Sequence, residues 1–295
     1  MTLLRCATLV VADLAATTAR YAEWMGYAVI ESGVIPADLA AAWQAPASAG
    51  RRYAVMQPES GEAVFLRFVE GDPVPGYLPI RSYGWAATEI CVTDVEAVHK
   101  RMLASPFEVI GPPRVLDGYA TIKPMQVRGP DAEIVYLTEF AGDDPALVLP
   151  QPKTLVDRPF IIVHASKDLN AGLIWLREVV GLEAIDPVSI RYTMIEKSFG
   201  LTPEDKTAIT TGQWPGGETF LEFDQYPEAA TERPRHADAL PPGVAVVTML
   251  HPDMARLAGH WLSPPVRRDG PVYAGRLSGV IQTLEGALLE VIDGK

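Results

Sequence analysis

The stretch Leu3–Ser32, LLRCATLVVADLAATTARYAEWMGYAVIES, decides how the rest of the chain is read. Leu3 to Val11 is an apolar run of strand length, and Asp13 stands where a helix N-cap acceptor belongs. Leu14, Thr17, Tyr21, Trp24 and Met25 then fall at spacings of three and four, which predicts an amphipathic helix. Gly26 sits at its C-terminal stop, and Tyr27 to Ile30 starts a second strand. The same pattern recurs at 161–182, IIVHASKDLNAGLIWLREVVGL, with Asp168 at the cap and Gly181 at the stop. Asp to Gly spans thirteen residues in both copies.

Four such units account for the chain. In the first, RYAVMQ (52–57) and AVFLRFVE (63–70) follow as strands joined by the turn PESG, and Gly33 to Gly50, with Trp43, is read as a short helix over the mouth of a pocket. The second unit runs from Trp85 to Phe140, with Asp94 capping the helix VEAVHKRML and with strands at FEVI, PMQVR and IVYLTEF. The third begins at Phe160. It inserts a helix over 189–200 before the strands TAITTG and TFLEFDQ. The fourth has the strand VAVVTML, a short helix from Pro252 to Trp261, and strands near VYAG, GVIQTL and ALLEVI. The proline-rich, acidic stretch Gly142–Pro159 is the expected domain boundary, dividing the chain into 1–142 and 158–295 with two tandem units in each.

A chain of 295 residues with a net charge of −12 disfavours nucleic acid and anionic membranes as main partners, since both select clustered Lys and Arg. A small molecule fits better, and a homodimer is left open. No apolar run is long enough to cross a bilayer. Cys6 and Cys91, the only cysteines, lie in apolar strands and read as reduced core residues of a cytoplasmic protein. A basic leader with a small-residue cleavage site is missing, so no signal peptide is expected.

A βαβββ unit used four times resembles the vicinal oxygen chelate superfamily, which includes glyoxalase I, bleomycin-resistance proteins and extradiol dioxygenases. VVADLAATTARYAEWMGY and HASKDLNAGLIWLREVVGL are similar to one phrase of that family, and GPDAEIVYL and EGALLEV to another. The resemblance implies an α+β fold of four βαβββ modules paired into two glyoxalase-like domains, with mixed, strongly curved sheets forming two cups. It also implies a divalent metal in one cup, held by His, Gln or Glu about seven residues before the module's Asp and by Glu on the last strand. In this chain those first-strand positions are Cys6, Ala87, Ile161 and Val246. The last-strand positions are Arg67, Tyr136, Glu222 and Glu290, so the usual chelate is broken.

Glu222 and Glu290 are therefore the candidate catalytic pair, two carboxylates facing one C-terminal cavity with Ile161, Val163 and Thr248 on its wall. They are also weak metal candidates, together with His164: no tightly bound cofactor is expected, and a weakly held Mg²⁺ or Mn²⁺ is the form a metal would take. His164 lies four residues before Asp168, where strand parity turns it away from the cup. His99, His236, His251 and His260 are too scattered to form a centre. Arg67, Tyr136, Glu89 and Thr8 are placed on an N-terminal inner surface, with a Glu89–Arg67 ion pair and Tyr136 orienting a bound oxygen. Cys6 lacks a histidine to activate it as a nucleophile. Trp43, Trp85, Tyr119, Tyr192 and Met194 are read as pocket or core. Two functions follow: an enzyme of the dioxygenase, lyase or isomerase type acting on a small aromatic or oxygenated metabolite, or a non-catalytic protein that binds and sequesters one.

Overall fold

The computed structural model describes residues 2–142 and 148–295. The first module comprises β1 (Leu4–Val11), α1 (Leu14–Met25), β2 (Tyr27–Val34), a short helix α2 (Ala37–Ala42), β3 (Arg52–Pro58) and β4 (Phe65–Glu70). The second has β5 (Gly84–Val92), α3 (Val95–Met102), β6 (Glu108–Gly111), β7 (Ile122–Arg128) and β8 (Ile134–Phe140). The third has β9 (Val156–Ser166), α4 (Leu169–Trp175), β10 (Glu183–Ala184), β11 (Val188–Ile190), α5 (Thr193–Phe199), β12 (Thr207–Gln213) and β13 (Thr219–Gln225). The fourth has β14 (Gly243–His251), β15 (Ser263–Arg267), β16 (Leu277–Gln282) and β17 (Leu288–Asp293).

The caps explain why three helices start where they do. The carboxylates of Asp13, Asp94 and Asp168 accept hydrogen bonds from the backbone N–H groups of Ala16, Ala97 and Ala171, each satisfying an orphan donor of the first turn. Gly26 ends α1, and Gly181 ends the π-helical turn Leu176–Val180 that continues α4, both in the left-handed region, at φ 72° and 80°, where a side chain would be strained. Asp253 caps nothing: a single 3₁₀ turn, Met254–Leu257, replaces the expected fourth helix. The strand expected near VYAG is likewise a turn region, and Ser263–Arg267 forms the strand instead.

The pairing of modules differs from the tandem expectation. One eight-stranded sheet runs β15-β16-β17-β14-β1-β4-β3-β2 and joins the first module to the fourth; the other runs β10-β12-β13-β9-β5-β8-β7-β6 and joins the second to the third. The seams are antiparallel, β1 against β14 and β5 against β9. The proline-rich stretch after Gly142 thus connects two modules of one sheet instead of separating one pair of modules from the other; residues 143–147 of it lie outside the described residues. The chain crosses between sheets in the segments 71–83 and 226–242. Those crossings are fastened together: Ser82 and Thr231 form a parallel bridge, with Tyr83 N donating to Thr231 O at 3.0 Å. Arg233 donates to Val244 O at 2.9 Å, to Trp85 O at 2.6 Å and to Ser82 Oγ at 3.3 Å, so one guanidinium ties the entry of β5 to the entry of β14.

Strand alternation sorts side chains into a shared back layer and two separate cups. Ala7, Leu9, Phe68, Val247, Ile90 and Phe223 belong to one large core that spans both sheets and the helices. His164 faces this layer, as parity predicts. It stacks on Phe223 at 4.4 Å, its ring nitrogens sit 3.1 Å from Ser166 Oγ and 3.0 Å from Thr283 Oγ1, and burial holds its pKa down at about 3, with Arg233 adding to the effect. A neutral, fully bonded imidazole outside both cups is a structural residue. Because Arg233 supplies charged donors to carbonyls at the entries of both strands, Arg233→Met is expected to lower stability by roughly 2–4 kcal/mol in denaturant unfolding.

Candidate functional site

Strand register makes the two cups directly comparable. Thr8 stands opposite Arg67, Glu89 opposite Tyr136, Val163 opposite Glu222 and Thr248 opposite Glu290, so each module contributes the same two positions to a cup floor. Glu222 and Glu290 are equivalent in this sense but stand in different sheets, which corrects the expectation that they face one cavity. Glu89 and Arg67 are separated in the same way, and the expected ion pair between them does not form. The seam pairing is the cause, since it sends adjacent modules in sequence to different cups.

The cup of the first and fourth modules is filled by its own side chains. Arg67 Nη2 lies 3.3 Å from Glu290 Oε2, both groups being at most 2% exposed. Arg67 also donates to Thr8 Oγ1 at 2.9 Å and to Tyr273 Oη at 2.8 Å. Glu290 accepts from Thr248 Oγ1 at 2.8 Å, Tyr273 Oη at 3.1 Å and Trp43 Nε1 at 3.2 Å. Trp43, at the end of α2, stacks over the guanidinium at 4.7 Å and closes the mouth. The expected short helix is present, and it is a plug. Cys6 is fully buried beneath this network, and burial pushes its thiol up to about 11, so it is no nucleophile. Both charged groups of the pair are engaged by further hydrogen bonds, which is the condition under which a buried ion pair persists.

The cup of the second and third modules is open. A cavity of about 280 Å³ reaches Glu89, Tyr136, Tyr192 and Glu222 from a mouth where Arg114, Arg191 and Lys197 stand. An apolar side arm lined by Leu149, Phe140, Phe160 and Ile161 adjoins it and shares both glutamates. The Tyr192 hydroxyl lies 2.9 Å from that of Tyr136 and 3.3 Å from Glu222 Oε1, so its single hydrogen is placed to be donated to either oxygen. Thr138 donates to Glu89. Asp224, two residues beyond Glu222 on the same face of β13, is 1% exposed and within hydrogen-bonding reach of Glu222, and its Oδ1 has no partner. Burial, reinforced by the charge of Glu222, raises Glu89 to about 8. Burial raises Glu222 to about 7, and Asp224 is driven well above the usual carboxylate range by burial and then by Glu222. Tyr136 and Tyr192 remain neutral phenols because burial lifts both well above their usual range.

Of the residues singled out from sequence, the open cup gathers Glu222, Glu89, Tyr136 and Tyr192, while Glu290, Arg67 and Thr248 lie in the closed one. Asp224, Arg191 and Lys197 were missed. Asp224 carried a usable signal in the alternation L-E-F-D-Q, which puts both acids of β13 on one face; the mouth residues come from α5 and its approach, whose docking no local pattern fixes. The divalent metal implied by the resemblance does not fit the donors present. Ala87 opposes Val163 and Glu89 opposes Ile161 at the seam, so alkyl groups occupy both first-strand ligand positions of this cup. Among the described residues no group of three His, Cys, Asp or Glu is arranged to hold a metal ion.

No family profile matches the sequence, and no curated protein does. Among solved structures, glyoxalase I from Zea mays has 16% identity and a TM-score of 0.63 over 99% of this chain and 92% of that one. A single-substitution mutant of the same maize enzyme gives 14% identity and a TM-score of 0.65, covering 99% and 93%. A putative dioxygenase from Bacillus subtilis subsp. subtilis str. 168 gives 12% identity and a TM-score of 0.61, covering 99% and 84%. The chain therefore has the fold of the vicinal oxygen chelate superfamily along its whole length. Among the described residues no helix is long and apolar enough to cross a membrane.

Arg67→Met alone leaves Glu290 charged and unpaired in a dry core, and is expected to cost about 3–5 kcal/mol, while the double variant Arg67→Met/Glu290→Leu recovers most of that loss. Equilibrium unfolding of both variants checks this. The open cup behaves oppositely. Glu89 titrates at about 8 in the fold against an ordinary 4.5, so its favourable protonated state is fully present below the ordinary value and is lost as pH rises through about 8. Glu89→Gln should therefore match the parent near pH 4 and exceed it by roughly 1–3 kcal/mol near pH 9, read from thermal or denaturant melts across that range.

Proposed function

We propose that the cup of the second and third modules binds a small aromatic or oxygenated metabolite and moves protons to and from it without a tightly held metal. The observation that carries this reading is the placing of Glu222 and Glu89, raised to about 7 and about 8, on one cavity beside the Tyr136–Tyr192 chain. Carboxyl groups tuned to neutral pH can each serve as base or acid, since general catalysis is most effective when the pKa lies near the working pH. The two carboxyl groups titrate as a coupled pair, so near neutral pH one of them is ionised to take the substrate proton while the other holds a proton to return. The Tyr136 hydroxyl, toward which Tyr192 is placed to donate, gives its own hydrogen to an oxygen on which negative charge develops. This makes an isomerase or lyase a better match than a dioxygenase, which needs a redox centre the donor set does not supply.

The apolar side arm, with Phe140, Phe160 and Ile161, also favours a second reading, a protein that binds and sequesters such a molecule without turnover. Deuterium exchange separates the two. In D₂O, a panel of phenolic, 2-hydroxy and 2-oxo compounds is expected to include one whose C–H exchanges by NMR in the presence of the protein, with Glu222→Gln lowering the rate by roughly 10²-fold or more. Ligands that bind without exchanging, or exchange unaffected by Glu222→Gln, would leave sequestration as the function. Elemental analysis after native purification is expected to find transition metal well below stoichiometric amounts; a stoichiometric, chelator-resistant metal would overturn the metal-free assignment.

A further inference from the structure

The two cups are built on the same floor positions, yet one contains a cation and the other does not. In the closed cup Glu290 accepts from Tyr273 at 3.1 Å and meets the Arg67 guanidinium at 3.3 Å. In the open cup Glu222 accepts from Tyr192 at 3.3 Å, and the position equivalent to Arg67 is Tyr136, which brings no charge. Acid replaces neutral groups as well: Glu89 stands where the closed cup has Thr8, and Asp224 stands where β17 has Ile292. Three carboxyl groups thus converge on a floor whose protein partners are hydroxyls only, and the buried Oδ1 of Asp224 is left without a donor.

Buried carboxylates without a counter-charge are costly, and proteins retain them where something else completes them. We infer that the open cup takes a ligand bearing an organic cation with N–H donors, an ammonium or guanidinium group, whose charged end sits against Glu222 where Arg67 sits against Glu290 in the closed cup. The inference rests on the reading of this cup as the binding site and specifies the charge class of what enters it. An organic cation is favoured over a metal ion because the floor is walled by Tyr136, Tyr192 and the apolar side arm, surfaces that hold the body of an amine and offer π-faces to its charge. The closed cup shows the same solution internally, with Arg67 4.7 Å above Trp43. Two of the mouth cations are neutralised, Arg191 by Glu196 and Arg114 by Asp117, while Lys197 donates to Ile110 O and keeps its charge at the rim. A ligand with an anionic tail could meet Lys197 there while its cationic head lies on the floor.

Cation binding must displace the protons that neutralise the floor when it is empty. The groups that share that change are Glu89, Glu222 and Asp224; Tyr136, Tyr192 and Tyr226 around them stay neutral phenols, and Cys91 on the floor side of β5 stays a thiol. Affinity for an amine should therefore rise with pH as long as the amine itself stays protonated.

The test uses the full chain and benzylammonium, benzamidinium, benzyl alcohol and benzoate as probes, followed by NMR titration and by calorimetry in two buffers of different ionisation enthalpy. The cations are expected to bind at least roughly ten-fold more tightly than benzyl alcohol, to release protons on binding, and to gain affinity between about pH 6 and about pH 8.5. Glu222→Gln should reduce that preference to near parity and Asp224→Asn should weaken it, with circular dichroism and melting confirming that each variant is folded. Equal binding of benzyl alcohol, tighter binding of benzoate, or displacement of the amines by Mg²⁺ or Mn²⁺ at comparable concentration would overturn the inference. Its failure is distinguishable from failure of the proton-transfer reading: substrate exchange without amine preference removes only the cation, and amine preference without exchange removes only the chemistry.

Discussion

The structure depends on the antiparallel seams between first strands, β1 with β14 and β5 with β9. Each βαβββ module leaves the outer edge of its first strand unpaired, and an unpaired edge in a buried sheet is untenable because its N–H and C=O groups have no water to turn to. Joining two first strands removes both edges and curves eight strands into a cup. It also brings equivalent positions of two modules within reach across one floor. The identity of the partner module then determines which side chains meet, and so the chemistry of each cup follows from a backbone constraint.

With the first module paired to the fourth, one floor receives Arg67 and Glu290 together, and Thr8, Thr248, Tyr273 and Trp43 complete their hydrogen bonds. The pair is satisfied and sealed under α2. With the second paired to the third, the other floor receives Glu89, Glu222 and Asp224 and no cation. Electrostatically the two cups are opposite answers to the same geometry. One is a finished core in which the cup layout has been absorbed into packing, and the other holds carboxyl groups that burial pushes toward their protonated forms. Unequal use of two similar cups gives one scaffold a rigid half and a half that responds to what enters it.

The crossings at 71–83 and 226–242 make this arrangement mechanically consistent. They run side by side, joined at Ser82 and Thr231 and clamped by Arg233, so the sheet built from the chain termini and the sheet built from its middle are registered to one another. His164 adds a further tie through Thr283 across the back layer. A histidine on a first strand, the residue that most invites a metal reading, serves here as a stacked, neutral bridge.

Local sequence determined the modules. Asp13, Asp94 and Asp168 announce helix starts because a short carboxylate satisfies first-turn donors, Gly26 and Gly181 announce stops because only glycine adopts that backbone freely, and alternation along LEFDQ or LLEVID fixes which side chains share a face. The broken chelate was also legible, because ligand positions are counted within a module and Ala87 and Ile161 can be read directly. The partner of each module was not. All four first strands present similar apolar edges, and three proline-rich connectors interrupt the chain, so nothing local states which connector crosses between sheets. That choice belongs to the packing of the whole chain, and it alone set Arg67 against Glu290, left Glu222 with Glu89 and Asp224, and placed α5 at the mouth. Short-range hydrogen bonds and side-chain parity act within a few residues and are written in sequence; the meeting of strands far apart along the chain is decided only when every edge and every buried charge must be satisfied at once.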